Sequence, residues 1–251
     1  MQLAGASVLI TGGRRVGSKL ALLLAQRGAS IALTYHSSRE AIEQTVAEIR
    51  KLGVGAEAIA ADLRRPSEAE RAVDSTARAF GRIDVLINMA SVFHRTPFKT
   101  LKAADFDALI AANLAAPSYV AIAAAQRMLA QPPSDRYPQG KIINIGDWAS
   151  DRPYRNYLPY LVGKGGLKTL TLAMAKELAP HIAVNMIQPA MIEPPPEFSD
   201  EDIMRVVSHT PLARAGQADD LNRLVLYLLE GTDFVTGACY RVDGGRFLGQ
   251  D

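Results

Sequence analysis

The alternation of short apolar segments with segments of helical period is the feature of this 251-residue chain that most constrains its fold. The short segments are rich in β-branched residues, and several are apolar at successive positions, which is typical of strands covered on both faces of a parallel sheet. These segments are 6–11, 30–35, 56–61, 84–88, 141–146, 182–187 and 238–243. Between them, residues such as Ile42, Val46 and Ile49 recur on one helical face. The pattern predicts an α/β fold with a doubly wound parallel sheet between two layers of helices.

No internal repeat and no linker divides the chain, so we expect a single three-layer α/β/α domain over residues 1–251. Two stretches interrupt the pattern. Residues 131–140 are typical of a surface loop, whereas 188–216 is long, proline-rich and only partly helical. Long segments of the second kind often cover a site, so we expect a substrate lid at about 190–215.

Composition narrows the class of protein. A net charge of +2 implies no general attraction to nucleic acid or to a membrane. The one cysteine, Cys239, cannot form an internal disulfide, which fits a reducing cytoplasm. We find no signal peptide pattern and no uninterrupted apolar stretch of membrane-spanning length. His94, His181 and His209 show no metal-ligand spacing. We therefore expect a cytoplasmic protein that acts on a small molecule without a metal.

A glycine-rich turn joins the first predicted strand to the first predicted helix. It consists of Gly12, Gly13, Arg14, Arg15, Val16 and Gly17. A turn of this kind lets the backbone approach a pyrophosphate, and the following helix supplies N–H groups and the positive end of its dipole. The alternative is a turn that simply joins the strand to the helix.

The end of the second predicted strand bears on the choice of dinucleotide. NAD-binding sites place a carboxylate there for the ribose 2′-hydroxyl, and this chain has none. It has Tyr35, His36, Ser37, Ser38 and Arg39 instead. Together with Arg14, these hydroxyl and guanidinium groups favour the 2′-phosphate of NADP(H). In the alternative interpretation, Ser37 caps the helix with Glu40, and Arg39 is a solvated charge.

Tyr160 and Lys164 lie one helical turn apart, so both side chains can project from one face. An ordinary tyrosine is a poor acid–base group at neutral pH, and a nearby ammonium group stabilises tyrosinate and lowers the tyrosine pKa. We therefore expect Lys164 to tune Tyr160. A chance pair on a helix is the alternative, since this spacing alone is common.

In order along the chain, seven motifs resemble those of the short-chain dehydrogenases/reductases over essentially the full length. They are TGGRRVG (11–17), ADL (61–63), NMAS (88–91), NLAAP (113–117), Tyr160-x-x-x-Lys164, IQPAM (187–191) and VTGACYRVDGG (235–245). The resemblance implies a Rossmann-like fold and a catalytic role for Asn113, which would hold a water in the proton relay. It also implies that the cofactor is lined by Asp62, Leu63, Asn88, Met89, Ala90, Ser91, Lys164, Pro189, Met191 and Ile192.

Within that family the chain is most similar to pteridine reductases, including dihydromonapterin reductase types. Arg15 precedes Val16–Gly17, YHSS occupies 35–38, Phe93 falls at their stacking phenylalanine, and Asp147 stands where most relatives have serine. The resemblance implies that Phe93 stacks on a pterin, and that Arg15 and Ser91 lie near it. Trp148 and Tyr154 are expected near the mouth of the same pocket.

Asp147 suggests the kind of bond that is reduced. A serine hydroxyl stabilises developing charge on a ketone oxygen, whereas an ionised carboxylate would oppose it. Reduction of a pterin C=N bond needs a proton on nitrogen, which a carboxyl group can relay, and burial would raise its pKa. Our hypothesis is that Asp147 and Tyr160 deliver this proton and NADPH supplies hydride. In the alternatives, Asp147 caps the turn after the fifth strand and Phe93 is a core or lid aromatic residue.

Two other functions remain open from the sequence. One is a carbonyl reductase, for instance of 3-oxoacyl thioesters, in which Ser150 would supply a hydroxyl despite a spacing to Tyr160 that differs by three residues. The other is a non-catalytic NADP-binding regulator. The family resemblance also implies a homo-oligomer, a tetramer or dimer, for which the apolar helices around 115–130 and 157–180 offer faces.

Overall fold

The computed structural model describes residues 1–132, 138–194 and 198–249, and within this part of the chain every predicted strand is present. Each begins and ends within two residues of its predicted bounds. The strands are β1 (Ser7–Thr11), β2 (Ser30–Tyr35), β3 (Ala56–Ala60), β4 (Val85–Asn88), β5 (Gly140–Ile145), β6 (Ile182–Pro189) and β7 (Cys239–Val242).

All seven strands are parallel and lie in the order β3-β2-β1-β4-β5-β6-β7. The chain builds outward from β1 in one direction and then, from β4, in the other. The order therefore reverses between β1 and β4, where Thr11 is paired with Asn88. In open α/β sheets, ligands bind beyond the carboxyl ends of the strands at such a reversal.

The helices cover both faces of the sheet. They are α1 (Val16–Gln26), α2 (Arg39–Arg50), α3 (Pro66–Phe80), α4 (Ala103–Ile110), α5 (Ala116–Leu129), α6 (Leu158–Leu178), α7 (Asp200–Ser208) and α8 (Ala218–Leu226). A π-type turn, Ala111–Ala115, joins α4 to α5 without a break. The predicted three-layer α/β/α arrangement is confirmed.

Two buried clusters form the core, one on each face of the sheet. Val8 and Ile10 of β1 belong to the cluster that includes residues of α1, α2 and α8. Leu9, between them, belongs to the cluster that includes residues of α3, α5 and α6. Successive residues of β1 are thus buried against opposite helix layers, which is why its sequence is continuously apolar.

The two irregular stretches behave differently. Half of the predicted loop 131–140, residues 133–137, lies outside the described residues. The stretch 188–216 contains one helix, α7, and a bridge that pairs Ile192 with Gly216. It is therefore partly helical, as predicted, while residues 195–197 lie outside the described part.

One helical stretch, Ala103–Leu129, is long and apolar enough to cross a membrane by length and composition alone, which differs from the expectation from the sequence. Half of its apolar window is buried inside the fold, as in the core helix of a globular protein. Ile122 and Leu129 on this stretch, and Val162 and Leu172 on α6, remain exposed.

Candidate active site

A cavity of about 920 Å³ opens at the carboxyl ends of β1, β4 and β5, at the reversal of strand order. This volume lies near the upper end of the range for small-molecule sites. One end of the cavity is formed by the glycine-rich turn and the end of β2, and the other by aromatic residues after β5. All but three of the predicted site residues lie on its wall; the exceptions are Arg39, Asn88 and Asn113.

The glycine-rich turn forms a flat floor for the cavity. Gly12 has φ 71°, and a Cβ there would lie 3.2 Å from the Cα of Ala90. Gly13 has φ 140°, and a Cβ there would lie 2.8 Å from Cδ2 of Leu33. Side chains are therefore excluded at both positions. Among the described residues, no side chain caps the first turn of α1, so its N–H groups suit a pyrophosphate.

Arginine side chains lie at the end of the cavity that is formed by the glycine-rich turn and β2. Arg14, exposed on the wall, forms no hydrogen bond or ion pair within the described part of the chain. Arg64 donates from Nε and Nη2 to the two carboxylate oxygens of Asp62 at 2.7 and 2.8 Å. This bidentate pair holds the pKa of Asp62 at about 2. Arg64 also lines the cavity and was missed from the sequence, where its only signal is its position two residues after Asp62.

Arg39 does not reach the cavity. Its Nε donates to Oε1 of Glu43 at 2.7 Å on the exposed face of α2, so its position agrees with the solvated interpretation and does not support a contact with the cofactor. Ser37 does not cap the helix, since α2 begins after Ser38 and has no side-chain cap bond. Ser37 and Ser38 both line the cavity instead.

Asn88 is turned into the sheet. Its Nδ2 donates to the carbonyl of Pro117 at 3.1 Å and to Oδ1 of Asn144 at 3.0 Å. Asn144 lies beside it on β5, and the side chain of Asn88 is buried, so the expectation that it lines the cofactor was wrong. Its amide group links β4 to β5 and to α5 through these two hydrogen bonds.

Asn113 is buried on the π-type turn, and its amide group has no capacity left for a relay water. Its Nδ2 donates to the carbonyls of Val92 and Leu109 at 2.9 and 3.1 Å. Its Oδ1 accepts from the Ser91 hydroxyl at 2.7 Å and from the Val92 N–H at 3.2 Å. Two donors and two acceptor positions are therefore used. The side chain positions the Ser91–Val92 segment and does not reach the cavity.

Asp147 follows β5 and meets Tyr160 of α6. The Tyr160 hydroxyl donates to Oδ2 of Asp147 at 2.8 Å, while Oδ1 accepts from the Ala149 N–H at 2.8 Å. The carboxyl group therefore caps the turn after the fifth strand and also contacts the predicted catalytic hydroxyl. Lys164 is buried one turn along α6, and its Nζ donates to the carbonyl of Ile145 at 2.8 Å.

Burial dominates the electrostatics of these three groups. It raises the pKa of Asp147, as expected from the sequence, and lowers that of Lys164 to about 8. The pKa of Tyr160 lies well above 10, because burial and the neighbouring carboxylate of Asp147 both disfavour tyrosinate. The role of Lys164 in lowering the pKa of Tyr160 stays a prediction, since burial and the Asp147 carboxylate set the direction of the shift in this structure.

Aromatic residues form the far end of the cavity. Phe93 stacks on Tyr157 with ring centroids 4.5 Å apart and an interplanar angle of 8°. It also meets the ring of Tyr160 edge-on at 4.9 Å. Tyr154 contacts Tyr157 at 5.2 Å and Trp148 at 6.0 Å. Phe93 is 41% exposed, so one face of its ring is backed by Tyr157 while part of the ring stays open.

The segment after β6 closes one side of the cavity. Pro189, Met191 and Ile192 line the wall, and Glu193 lies across the glycine-rich turn. Arg15 donates to the carbonyl of Glu193, and Lys19 forms an ion pair with its carboxylate. The wall also includes Phe198, Arg205 and Arg246, which were not identified from the sequence. Phe198 and Arg205 lie in the expected lid, and Arg246 directly follows the motif 235–245.

Ser150 does not present its hydroxyl to the cavity. Its Oγ is buried without a hydrogen-bond partner among the described residues, and Ser150 is absent from the cavity wall. Within the same part of the chain, no group of three or more His, Cys, Asp or Glu side chains is placed to hold a metal ion.

Comparison with known proteins gives one matching family model and several full-length relatives. The model is described as enoyl-(acyl carrier protein) reductase and matches residues 13–246. The uncharacterised oxidoreductase YohF of Escherichia coli K12 is 31% identical over 98% of this chain and 97% of its own length. The 3-oxoacyl-[acyl-carrier-protein] reductase FabG of Staphylococcus aureus is 31% identical over 96% of this chain and 98% of its own.

Among solved structures, a short chain dehydrogenase from Burkholderia cenocepacia in complex with NADP superposes with a TM-score of 0.89. It is 31% identical, and the match covers 98% of this chain and 99% of that one.

Proposed function

The chain belongs to the short-chain dehydrogenase/reductase family, and on that premise we propose that it is an NADPH-dependent reductase of a C=N bond in a pterin-type ring. Oxidoreductase activity follows from membership of this family. The choice of a pterin-type substrate is supported mainly by the hydrogen bond between Tyr160 and Asp147.

The cofactor is NADP(H), which when bound supplies hydride to the substrate carbon. The bare first turn of α1 suits its pyrophosphate, and Gly12 and Gly13 leave room for the close approach of backbone and phosphate. Arg14 has no partner among the described residues and suits a 2′-phosphate. The wall residues near the 2′-phosphate include Ser37 and Ser38 but no carboxylate at the end of β2.

The proton is delivered by Tyr160 together with Asp147. Burial raises the pKa of both groups and so shifts both towards their protonated forms. Tyr160 gives its hydroxyl proton to the ring nitrogen, and a protonated Asp147 gives its own to the phenolic oxygen, so tyrosinate does not accumulate. Lys164 holds the carbonyl of Ile145 at the end of β5 and so steadies the strand that carries Asp147.

The same arrangement fits a ketone less well. Reduction of a ketone develops negative charge on oxygen, and a hydroxyl or N–H donor stabilises it. Ser150, which the carbonyl-reductase interpretation needs, keeps its hydroxyl buried away from the cavity.

A second candidate function is reduction of a 3-oxoacyl thioester. It is favoured by the relatives from Staphylococcus aureus and Synechocystis, both called 3-oxoacyl-[acyl-carrier-protein] reductase and 31% and 32% identical to this chain. In that function a protonated Asp147 would have to take the place of the usual hydroxyl donor.

A steady-state assay with NADPH separates the two candidates. A 7,8-dihydropterin and an acetoacetyl thioester are compared with the wild type, Asp147→Ser and Ser150→Ala. We expect dihydropterin turnover by the wild type, a large loss in Asp147→Ser, and no change in Ser150→Ala. Thioester turnover that improves in Asp147→Ser, without any pterin turnover, would contradict the pterin proposal. NADPH binding without turnover of either substrate would favour the regulator.

A further inference from the structure

Arg246 is a half-buried guanidinium group on the cavity wall, on the segment that follows β7. Its Nη1 donates to the carbonyl of Val206 at 2.6 Å and weakly to Oγ1 of Thr210 at 3.4 Å. Both acceptors are neutral. Among residues 1–132, 138–194 and 198–249, no carboxylate lies within 4.0 Å of this guanidinium. Its charge is thus unpaired within the described structure.

The other charged groups at this end of the cavity have partners. Arg205 binds Oδ1 of Asp202 at 2.5 Å, and Arg15 contacts the carbonyl of Glu193, whose carboxylate is paired with Lys19. Asp147 is bonded to Tyr160 and to the Ala149 N–H. Arg246 is therefore the group at which a further negative charge would be compensated best.

The position of Arg246 places it on the substrate side. Its guanidinium carbon lies 5.5 Å from the ring centroid of Trp148, the residue next to Asp147. Trp148 in turn contacts Tyr154 of the aromatic wall. A flat ring that meets Asp147 and Tyr160 would therefore have Arg246 within reach of a substituent. Burial lowers the pKa of Arg246, which is the effect expected where desolvation of a cation is not offset by an anion.

We propose that Arg246 binds a carboxylate on the arm of the substrate, so that the site prefers acid-bearing substrates to neutral ones of the same ring. Guanidinium groups pair with carboxylates through charge-assisted hydrogen bonds, which are about twice as strong as neutral ones. The identity of the ring rests on the proposed function, whereas the anion site rests only on the geometry around Arg246.

The anion site is tested first without any turnover. The chain has one tryptophan, Trp148, so its emission reports on ligands beside Arg246. Protein saturated with NADP⁺ is titrated with benzoate, with its neutral counterpart benzamide and with inorganic phosphate. We expect benzoate to bind about tenfold or more tightly than benzamide, and Arg246→Gln to remove the difference. Arg223→Gln, an exposed arginine on α8, is the matched control and should bind as the wild type does.

The titration decides whether Arg246 forms a carboxylate-binding site. Equal binding of benzoate and benzamide by the wild type would overturn the proposal, whether or not Arg246→Gln folds. Phosphate that binds more tightly than benzoate would overturn the choice of carboxylate. Because Arg246 also holds Val206 of α7, Arg246→Lys is included, and we expect it to keep the preference for benzoate at reduced affinity.

The substrate arm is tested by kcat/KM for dihydrofolate, whose arm carries carboxylates, and for a dihydropterin with a neutral arm. We expect the wild type to prefer dihydrofolate by about tenfold or more, and Arg246→Gln to lose the preference, judged by the ratio of the two kcat/KM values within each protein. Absence of turnover with both, alongside a normal benzoate titration, would refute the proposed function and leave the anion site standing. Equal turnover of both by wild type and variant would refute the role of Arg246.

Discussion

The Tyr160 hydroxyl donates to the Asp147 carboxyl group across 2.8 Å, and burial raises the pKa of both groups. The Asp147 carboxylate makes ionisation of Tyr160 less favourable, whereas the hydrogen bond from the Tyr160 hydroxyl favours the ionised form of Asp147 and is outweighed by burial. Burial thus shifts both groups towards their protonated forms, which would suit protonation of a substrate nitrogen during reduction. Lys164 contributes less to this than its spacing suggests, because it bonds to the backbone of β5.

The first prediction concerns the pH dependence of reduction. If a protonated Asp147 resupplies the proton, kcat should fall as pH rises through its pKa, which lies above the ordinary 3.8. Asp147→Asn should lower kcat about 10²- to 10⁴-fold and remove this pH dependence. The measurement is a kcat profile in single-turnover and steady-state assays. Asp151→Asn, whose carboxylate pairs with Lys168 outside the cavity, is the control and should keep the wild-type profile.

The second prediction concerns stability at alkaline pH. Burial lowers the pKa of Lys164 from 10.5 to about 8, so the unfolded chain holds this proton more tightly than the folded one. The resulting penalty is complete below about pH 8 and disappears as pH rises towards 10.5. This difference in pKa corresponds to roughly 3 kcal/mol in the free energy of unfolding.

Urea unfolding of the wild type and Lys164→Met at pH 7.5 and pH 10 measures the effect. The free energy of unfolding of the wild type should rise with pH relative to that of the variant. Lys176→Met replaces an exposed lysine on the same helix, so the difference in free energy of unfolding between the wild type and this variant should not change with pH. If the difference in free energy of unfolding between the wild type and Lys164→Met stayed constant with pH, burial of the ammonium group would not destabilise the folded state.

The third prediction separates two arginines that look alike in the sequence. Arg14 lines the cavity without a partner in the described structure, whereas Arg39 is bound to Glu43 on the surface. Arg14→Ala should raise KM for NADPH about 10- to 100-fold and leave KM for NADH nearly unchanged, through loss of charge-assisted bonds to a 2′-phosphate. Arg39→Ala should change neither value. An equal effect of Arg14→Ala on both cofactors would place Arg14 elsewhere than at the 2′-phosphate.

The fourth prediction concerns the support of Phe93. Tyr157 stacks behind this ring at 4.5 Å, so its removal should let Phe93 lose its orientation. Since such an aromatic pair contributes about 0.5–1.5 kcal/mol, Tyr157→Ala should raise KM for the substrate roughly 2- to 10-fold. Tyr157→Phe keeps the ring and should behave as the wild type, and KM for NADPH should not change in either variant. A loss of activity in Tyr157→Phe would instead assign a role to the Tyr157 hydroxyl.

Features that depend on neighbours in the chain were predictable. The strands followed from continuous apolar runs, and the tight turn before α1 from two glycines between a strand and a helix. Tyr160 and Lys164 could be paired because one helical turn separates them. Asp147 could be singled out by its distance from Tyr160, although its two bonds could not be foreseen.

Features that depend on which segments meet in space were not predictable. The resemblance implied that Asn88 lines the cofactor, and the sequence favoured the same for Arg39. The Asn88 side chain bonds to Asn144 instead, and that of Arg39 bonds to Glu43. Conversely, neither Arg205 in the expected lid nor Arg246 just after the motif 235–245 was identified from the sequence, and both line the cavity.

By itself, then, the sequence determined the layered sheet, the glycine-rich turn before α1 and the helix that carries Tyr160 and Lys164, because periodicity and spacing are local properties of a chain. Only the tertiary structure decided that Tyr160 is bonded to a buried acid, that its pKa is raised, and that Arg246 carries an unpaired charge at the cavity wall. Burial and pairing depend on atoms contributed by distant segments, and those distances are set by folding alone.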